Sequence, residues 1–383
     1  MEQTKTELHT HLMGMLTAEG FVDFLSQYLE YIYWPINEPI SNDSQTIPIE
    51  CILNNPDVLD SLRIPHGKQV NYFTLDDRYA TRIELLKLAA HNLFSKLYSL
   101  LNNHYQNISE EDRRKIFFQQ AETIVYNDYI NRSLQELVNQ HVEYVEISYS
   151  NPRRIASFQI DPKLQDKITC KFLLSTDRSR SIKNLKKSAK DLRKILKQGS
   201  SVGIDIMGQE RQFSIEELDY NNSRSFQKKL EILFDELLQK ENTTLRIHSG
   251  EIPAPNNTLI TLEMIDQIAT KKGIVIPPPE IRIGHGLYFN PSKEYVRLLK
   301  KFQCIVELNA SSNFGLKNIT DYNEVPYSYY LENDIQVVIA TDGHGLYDTT
   351  IQQEDSIAKE HTTESQYKTI LQIDNDILEK KVR

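Results

Sequence analysis

His9 and His11 stand two residues apart in the segment Thr6-Glu7-Leu8-His9-Thr10-His11-Leu12. A strand sends alternate side chains to the same face, so both imidazoles would face one way. A lone His-x-His pair proves little, but three later segments end in groups of matching chemistry. His248-Ser249-Gly250-Glu251 offers a third imidazole and a carboxylate. Arg282-Ile283-Gly284-His285-Gly286 flanks a histidine with glycines, which let backbone approach whatever the ring touches. Ala340-Thr341-Asp342-Gly343 sets an aspartate after an apolar run, costly to bury unless paired or bound to metal. Taken singly, His248 reads as a satisfied core histidine, Glu251 as a neighbour of a helix cap, His285 as a turn residue and Asp342 as a helix N-cap. Taken together, imidazole and carboxylate ligands with one open position describe a catalytic zinc site, where bound water has a pKa near about 7.

Such groups act together only if a fold gathers them. Eight short β-rich runs occur, at 6–12, 143–150, 168–176, 202–208, 243–249, 281–286, 304–311 and 335–342. Helical patterns such as 214–240 and 258–272 separate the later ones. Strands alternating with helices predict parallel βαβ units, and eight of them predict closure into an α/β (β/α)8 TIM barrel. All the candidate groups then fall at the C-terminal strand ends, where barrel enzymes keep their catalytic residues. The gap between the first two strands is too long for one helix. It reads as helix over 18–32, a polar Pro-bearing stretch over 35–66, and helices over 79–102 and 109–138. We expect an extended helical insertion there, with residues 30–75 forming a lid over the barrel mouth or pairing subunits of a homo-oligomer. Residues 351–383 read as a C-terminal helical extension, and 1–383 as a single domain.

Composition narrows the partners. The 383 residues carry a formal charge of -9, with no basic excess that would suit a nucleic-acid polymer. No apolar run approaches the roughly 20 residues needed to cross a bilayer, and Met1-Glu2-Gln3-Thr4-Lys5 does not begin a signal peptide. Cys51, Cys170 and Cys304 are scattered and form no Cys-x-x-Cys pair, as expected of reduced thiols in the cytoplasm. A zinc site built on Cys-x-x-Cys ligands is thereby excluded.

The ordered set of segments resembles the adenosine/AMP deaminase family. It comprises Glu7-Leu8-His9-Thr10-His11-Leu12, Gly203-Ile204-Asp205-Ile206-Met207-Gly208, His248-Ser249-Gly250-Glu251, Arg282-Ile283-Gly284-His285-Gly286, Glu307-Leu308-Asn309-Ala310-Ser311-Ser312-Asn313 and Thr341-Asp342. The resemblance implies that His9, His11, His248 and Asp342 hold one zinc ion per chain. It implies that Glu251 protonates a purine ring nitrogen, that His285 orients the attacking water, and that the Gly208 backbone lies against the base. The small-molecule partner would be a purine nucleoside or nucleotide, converted to the inosine form with release of ammonia. Relatives of this kind serve nucleotide salvage and bacterial antiphage defence.

Two departures bear on substrate. Met13 stands where the family often has an acidic residue for the sugar 5′-hydroxyl, and a thioether is a poor acceptor. Loss of that carboxylate removes repulsion against a 5′-phosphate and points toward AMP or dAMP. Gly343 replaces the second aspartate of a pair that touches the purine, leaving His344 as a substitute contact. Arg153 and Arg154, then Arg178, Arg180 and Lys183, follow strand ends where paired cations would suit a phosphate. A modified purine such as N6-alkyl-AMP, or a deaminase-like binding or assembly module, are the alternative readings.

Overall fold

The computed structural model describes residues 3–34, 45–52, 55–101, 107–208, 210, 220–274 and 279–382. Its strands are β1 (Thr6–His11), β2 (Tyr31–Trp34), β3 (Gln45–Pro48), β4 (Tyr144–Tyr149), β5 (Thr169–Asp177), β6 (Ser201–Met207), β7 (Thr244–Ser249), β8 (Glu280–His285), β9 (Ile305–Leu308) and β10 (Gln336–Ile339). Eight of them pair in parallel in the order β1-β4-β5-β6-β7-β8-β9-β10. The ends meet through a parallel bridge between Thr10 and Asp342, with Asp342 N donating to the His9 carbonyl at 2.8 Å. The sheet therefore closes into a (β/α)8 barrel, and closure itself brings Asp342 beside β1.

The intervening helices follow ordinary rules. Ile182–Gln198 starts at a Ser181 cap that accepts from Asn184 N and stops at Gly199, whose φ of 76° is left-handed. It buries Leu185, Ala189, Leu192, Ile195 and Leu196, one face at helical spacing. The last helix, Glu364–Val382, joins Ile377 to an apolar cluster with Leu8, Tyr144, Ile305 and Val338. Asp374 in that helix accepts from the backbone N–H of Lys5 and Thr6. The C-terminal segment thus packs where strands β1, β4 and β9 begin. Among the described residues no helix is long and apolar enough to cross a membrane.

The first six barrel strands agree with the sequence expectation to within one residue at each end. The last two are shorter than expected, because Asn309 opens the helix Ala310–Gly315 and a left-handed Asp342 ends the extended run. The helix expected over 18–32 stops at Ser26, and the aromatic and β-branched run Tyr31–Trp34 pairs antiparallel with β3. In the insertion, the two long helices are Tyr72–Leu101 and Glu110–Asn139. Of the expected lid, residues 35–44 and 53–54 lie outside the described residues, as do 214–219 of the helix expected over 214–240. Arg82 of the first long helix is wholly buried and donates to the carbonyls of Leu62, Leu16 and Gly345. Ile64 N donates to Leu346 O and Val70 N to Gly315 O, so the insertion is tied to the loops that follow β9 and β10.

Candidate metal centre and active site

Closure places four imidazoles from three strands around one point. The ring centroid of His9 lies 5.5 Å from His11, 4.7 Å from His248 and 5.1 Å from His285. His248 lies 5.1 Å from His11 and 5.2 Å from His285. Asp342 Oδ1 sits 3.3 Å from both His9 Nε2 and His11 Nε2. Three overlapping triads have donor atoms within 4.8 Å of one another: His9, His11 and Asp342; His9, His248 and His285; His11, Asp205 and His248. All these side chains are buried. The nitrogens of His285 and Nε2 of His248 have no hydrogen-bond partner in the protein. Buried polar atoms without partners are costly and rare, and here several converge. Three imidazoles and one carboxylate fit a divalent ion of the zinc type.

Electrostatics point the same way. Burial and the nearby Arg246 disfavour charge on His9, yet Asp342 and Glu307 outweigh them and lift its pKa to about 9. The carboxylates call for positive charge at this spot, which a divalent ion would supply. Burial holds His248 well below the usual imidazole range, against the pull of Asp205, and so keeps it in the neutral form that ligates metal.

Groups behind the cluster fix its members. His9 Nδ1 lies 2.8 Å from Glu307 Oε2, which directs Nε2 toward the centre. Ser312 Oγ donates to Asp342 Oδ2 at 2.7 Å. Asp205 bonds Ser148 Oγ at 2.7 Å and Arg246 Nη2 at 2.9 Å, and its other oxygen lies 3.3 Å from His248 Nε2. Arg282 binds Glu146 at 2.9 Å and comes within 3.4 Å of Glu307. The barrel interior below the cluster is thus a mutually neutralising set of buried charges. Asp342 and His285 have φ of 62° and 71°, a backbone state uncommon outside glycine and frequent at functional sites.

Glu251 follows the left-handed Gly250 and places Oε1 3.8 Å from His285 Nε2. The hydroxyl of Tyr72, from the first insertion helix, lies 3.5 Å from the same oxygen and 3.1 Å from Asn318 Nδ2. Burial, with Glu251 next, pushes the Tyr72 phenol well up, so it stays protonated.

The remaining expected site residues fare differently. Gly208 has a φ of 94°, and a Cβ there would lie 2.3 Å from Asp177 Oδ2. Met13 is half-buried in the turn Leu12–Met15 after β1. Gly343 has a φ of 134°, and a Cβ there would stand 3.0 Å from Gly14 Cα, so the two backbones meet closely. His344 is buried with Nε2 2.9 Å from Glu136 Oε2, and Glu136 also holds Thr17. Arg178 donates Nη2 to the carbonyl of His248, bracing β7 from a largely buried position. Arg153 is exposed, while Arg154 pairs with Glu122 at 2.6 Å and stacks on Tyr126. Neither arginine of that pair reaches the histidine cluster by any contact seen. Sequence reading gave no role to Asp205, Glu307 and Ser312, although they stand in the segments that carry the family resemblance, and it passed over Glu210 and Tyr72. Glu307 carried a signal, a lone carboxylate inside the apolar strand Ile305–Leu308.

Comparison with known proteins bears on this geometry. Residues 120–375, more than half of the chain, match the sequence model of the adenosine deaminase family. The chain belongs to the adenosine deaminase family. It is 34% identical over 73 residues to the adenosine deaminase of Enterococcus faecalis, spanning 19% of this chain and 22% of that one. It is 30% identical over 118 residues to that of Clostridium kluyveri, spanning 31% and 30%. The matched stretches therefore cover less than a third of either relative. Among solved structures, the N6-methyl-AMP deaminase of Arabidopsis thaliana superposes with a TM-score of 0.58 at 16% identity, over 97% of this chain and 90% of that one. ADAL in complex with IMP gives 0.60 at 16%, over 98% and 92%. An amidohydrolase of Burkholderia ambifaria with bound zinc gives 0.55 at 15%, over 98% and 85%. At such identities these structures speak for the shared barrel of this adenosine deaminase family member.

Proposed function

We propose that this family member hydrolytically deaminates an adenine nucleoside or nucleotide, giving the inosine form and ammonia. The observation that carries the proposal is the convergence of His9, His11, His248 and Asp342 at one mouth of the barrel, with buried nitrogens that have no protein partner. These four residues would hold one zinc ion. When bound, zinc supplies a water acidic enough to attack at neutral pH.

The protein groups do the rest. Glu251 donates a proton to a ring nitrogen, which makes the adjacent carbon electrophilic. Without that protonation, addition to an aromatic ring carries its full cost. His285 faces Glu251 across the centre and takes the proton of the attacking water. The exocyclic amine takes that proton back from His285 and leaves as ammonia, the hydroxyl proton of the adduct returns to Glu251, and the ring carbon keeps the water's oxygen. The Gly208 backbone lies against the base, and the insertion closes the mouth, with Tyr72 reaching Glu251 from above.

Met13 in place of a carboxylate favours a 5′-phosphorylated substrate. Arg178 gives one guanidinium nitrogen to His248 O and Arg153 is exposed, so Met13 is the main support for that preference. The test is ammonia release, with the accompanying absorbance change, from adenosine, deoxyadenosine, AMP, dAMP and N6-methyl-AMP by the zinc-loaded protein. Turnover of an adenine compound is expected. Faster turnover of the free nucleosides removes the phosphate preference, and inactivity on the whole panel overturns the proposal.

A further inference from the structure

Glu210, three residues after β6, is buried, and among the described residues the donors that bond its carboxylate are neutral. Its Oε1 accepts from Ser249 Oγ at 3.1 Å and from Asn257 Nδ2 at 3.0 Å. Its Oε2 accepts from the backbone N–H of Gly250 and of Glu251, each at 3.1 Å. Ile252 N lies 3.5 Å away on the same side. Consecutive N–H groups around a left-handed glycine form a concavity suited to an anion, and here the anion is a side chain of the protein.

The carbonyl side of the same turn is held as well. Gly286 N donates to Ser249 O at 3.0 Å, while Leu287 N and Tyr288 N donate to Gly250 O at 3.1 and 2.8 Å. Residues 286–288 follow directly on His285. The turn that carries Glu251 is therefore clamped from two directions, by Glu210 through its N–H groups and by the His285 turn through its carbonyls. A Cβ on Gly250 would lie 2.7 Å from Tyr288 O, so the two turns are in close contact.

We infer that Glu210 is a positioning residue for catalysis, acting through Glu251: it fixes the backbone from which Glu251 approaches His285 and the purine ring. This inference rests on the proton-donor role proposed for Glu251. Misplacement of a catalytic group by about 1 Å costs on the order of 10²-fold in rate. Removal of Glu210 frees the N–H face of the turn while the metal ligands keep their own supports.

The test is a double-mutant cycle with Glu210→Ala, Glu251→Gln and the pair, read as kcat, KM and zinc per chain. Glu210→Ala should lower kcat by about 10- to 100-fold, with KM changed less than about 3-fold and zinc retained. The double variant should be no slower than Glu251→Gln alone. The isosteric Glu210→Gln, which keeps an acceptor oxygen, should recover part of the loss and serves as the readout if the alanine variant does not fold. The inference is overturned if kcat stays within about 2-fold of the unmodified protein, if the two losses multiply, or if zinc is lost in step with activity. An unmodified protein inactive on every adenine substrate contradicts the functional proposal instead, before any variant is made.

Discussion

His9 Nδ1 and Glu307 Oε2 lie 2.8 Å apart, with both side chains wholly buried. The carboxylate stands behind the ring, on the side away from the Asp342 oxygen that lies 3.3 Å from Nε2. Such carboxylate partners typically account for 10- to 100-fold in metal affinity. Glu307→Gln should therefore weaken zinc retention by about 10-fold or more in chelator competition, with activity returning at excess zinc. Unchanged retention would show that His9 is oriented by something else.

Glu251→Gln keeps the shape of the side chain and removes its proton. It should bind zinc normally yet lose about 10²- to 10⁴-fold in kcat. Near-normal turnover in this variant is incompatible with a proton-donor role.

Gly343→Asp would set a second aspartate beside Asp342, and the backbone there opposes it. The φ of 134° and a Cβ only 3.0 Å from Gly14 Cα predict strain of about 1–3 kcal/mol and a lower Tm, with no gain in activity. Thermal denaturation of the two proteins decides this. An equal or higher Tm would mean that Gly14 gives way.

Glu354 accepts bonds from Ala310 N, Ser311 N and Thr349 Oγ1, and burial raises its pKa to about 7. The folded protein then holds a proton that the unfolded chain releases near the ordinary value of 4.5. Stability from this group is full below that value and is lost as pH rises to about 7, after which its effect is level. Urea unfolding at pH 5 and pH 8 should show a smaller decline for Glu354→Gln than for the unmodified protein. Equal declines would mean that Glu354 does not carry this dependence.

The barrel and the His/Asp cluster at its mouth were legible because both follow local patterns. Alternation placed His9 and His11 on one face, and polar groups after apolar runs marked the ends of β7, β8 and β10. What stayed hidden depends on distant pairs. Nothing near Glu307 in sequence announces His9, nearly 300 residues away, and Glu136 meets His344 across 208 residues. That Gly14 lies against Gly343 could not be read from the sequence either. Arg178 looked free because the His248 carbonyl it binds belongs to a strand two places along the sheet. Tyr31–Trp34 extended a helical pattern in the sequence, while its β-formers paired with Gln45–Pro48.

The most direct test titrates zinc into metal-free protein and follows ammonia release from AMP and adenosine against measured zinc per chain. Turnover should rise with occupancy and level off at one zinc per chain. Equal turnover without zinc, or none at full occupancy, would contradict the account.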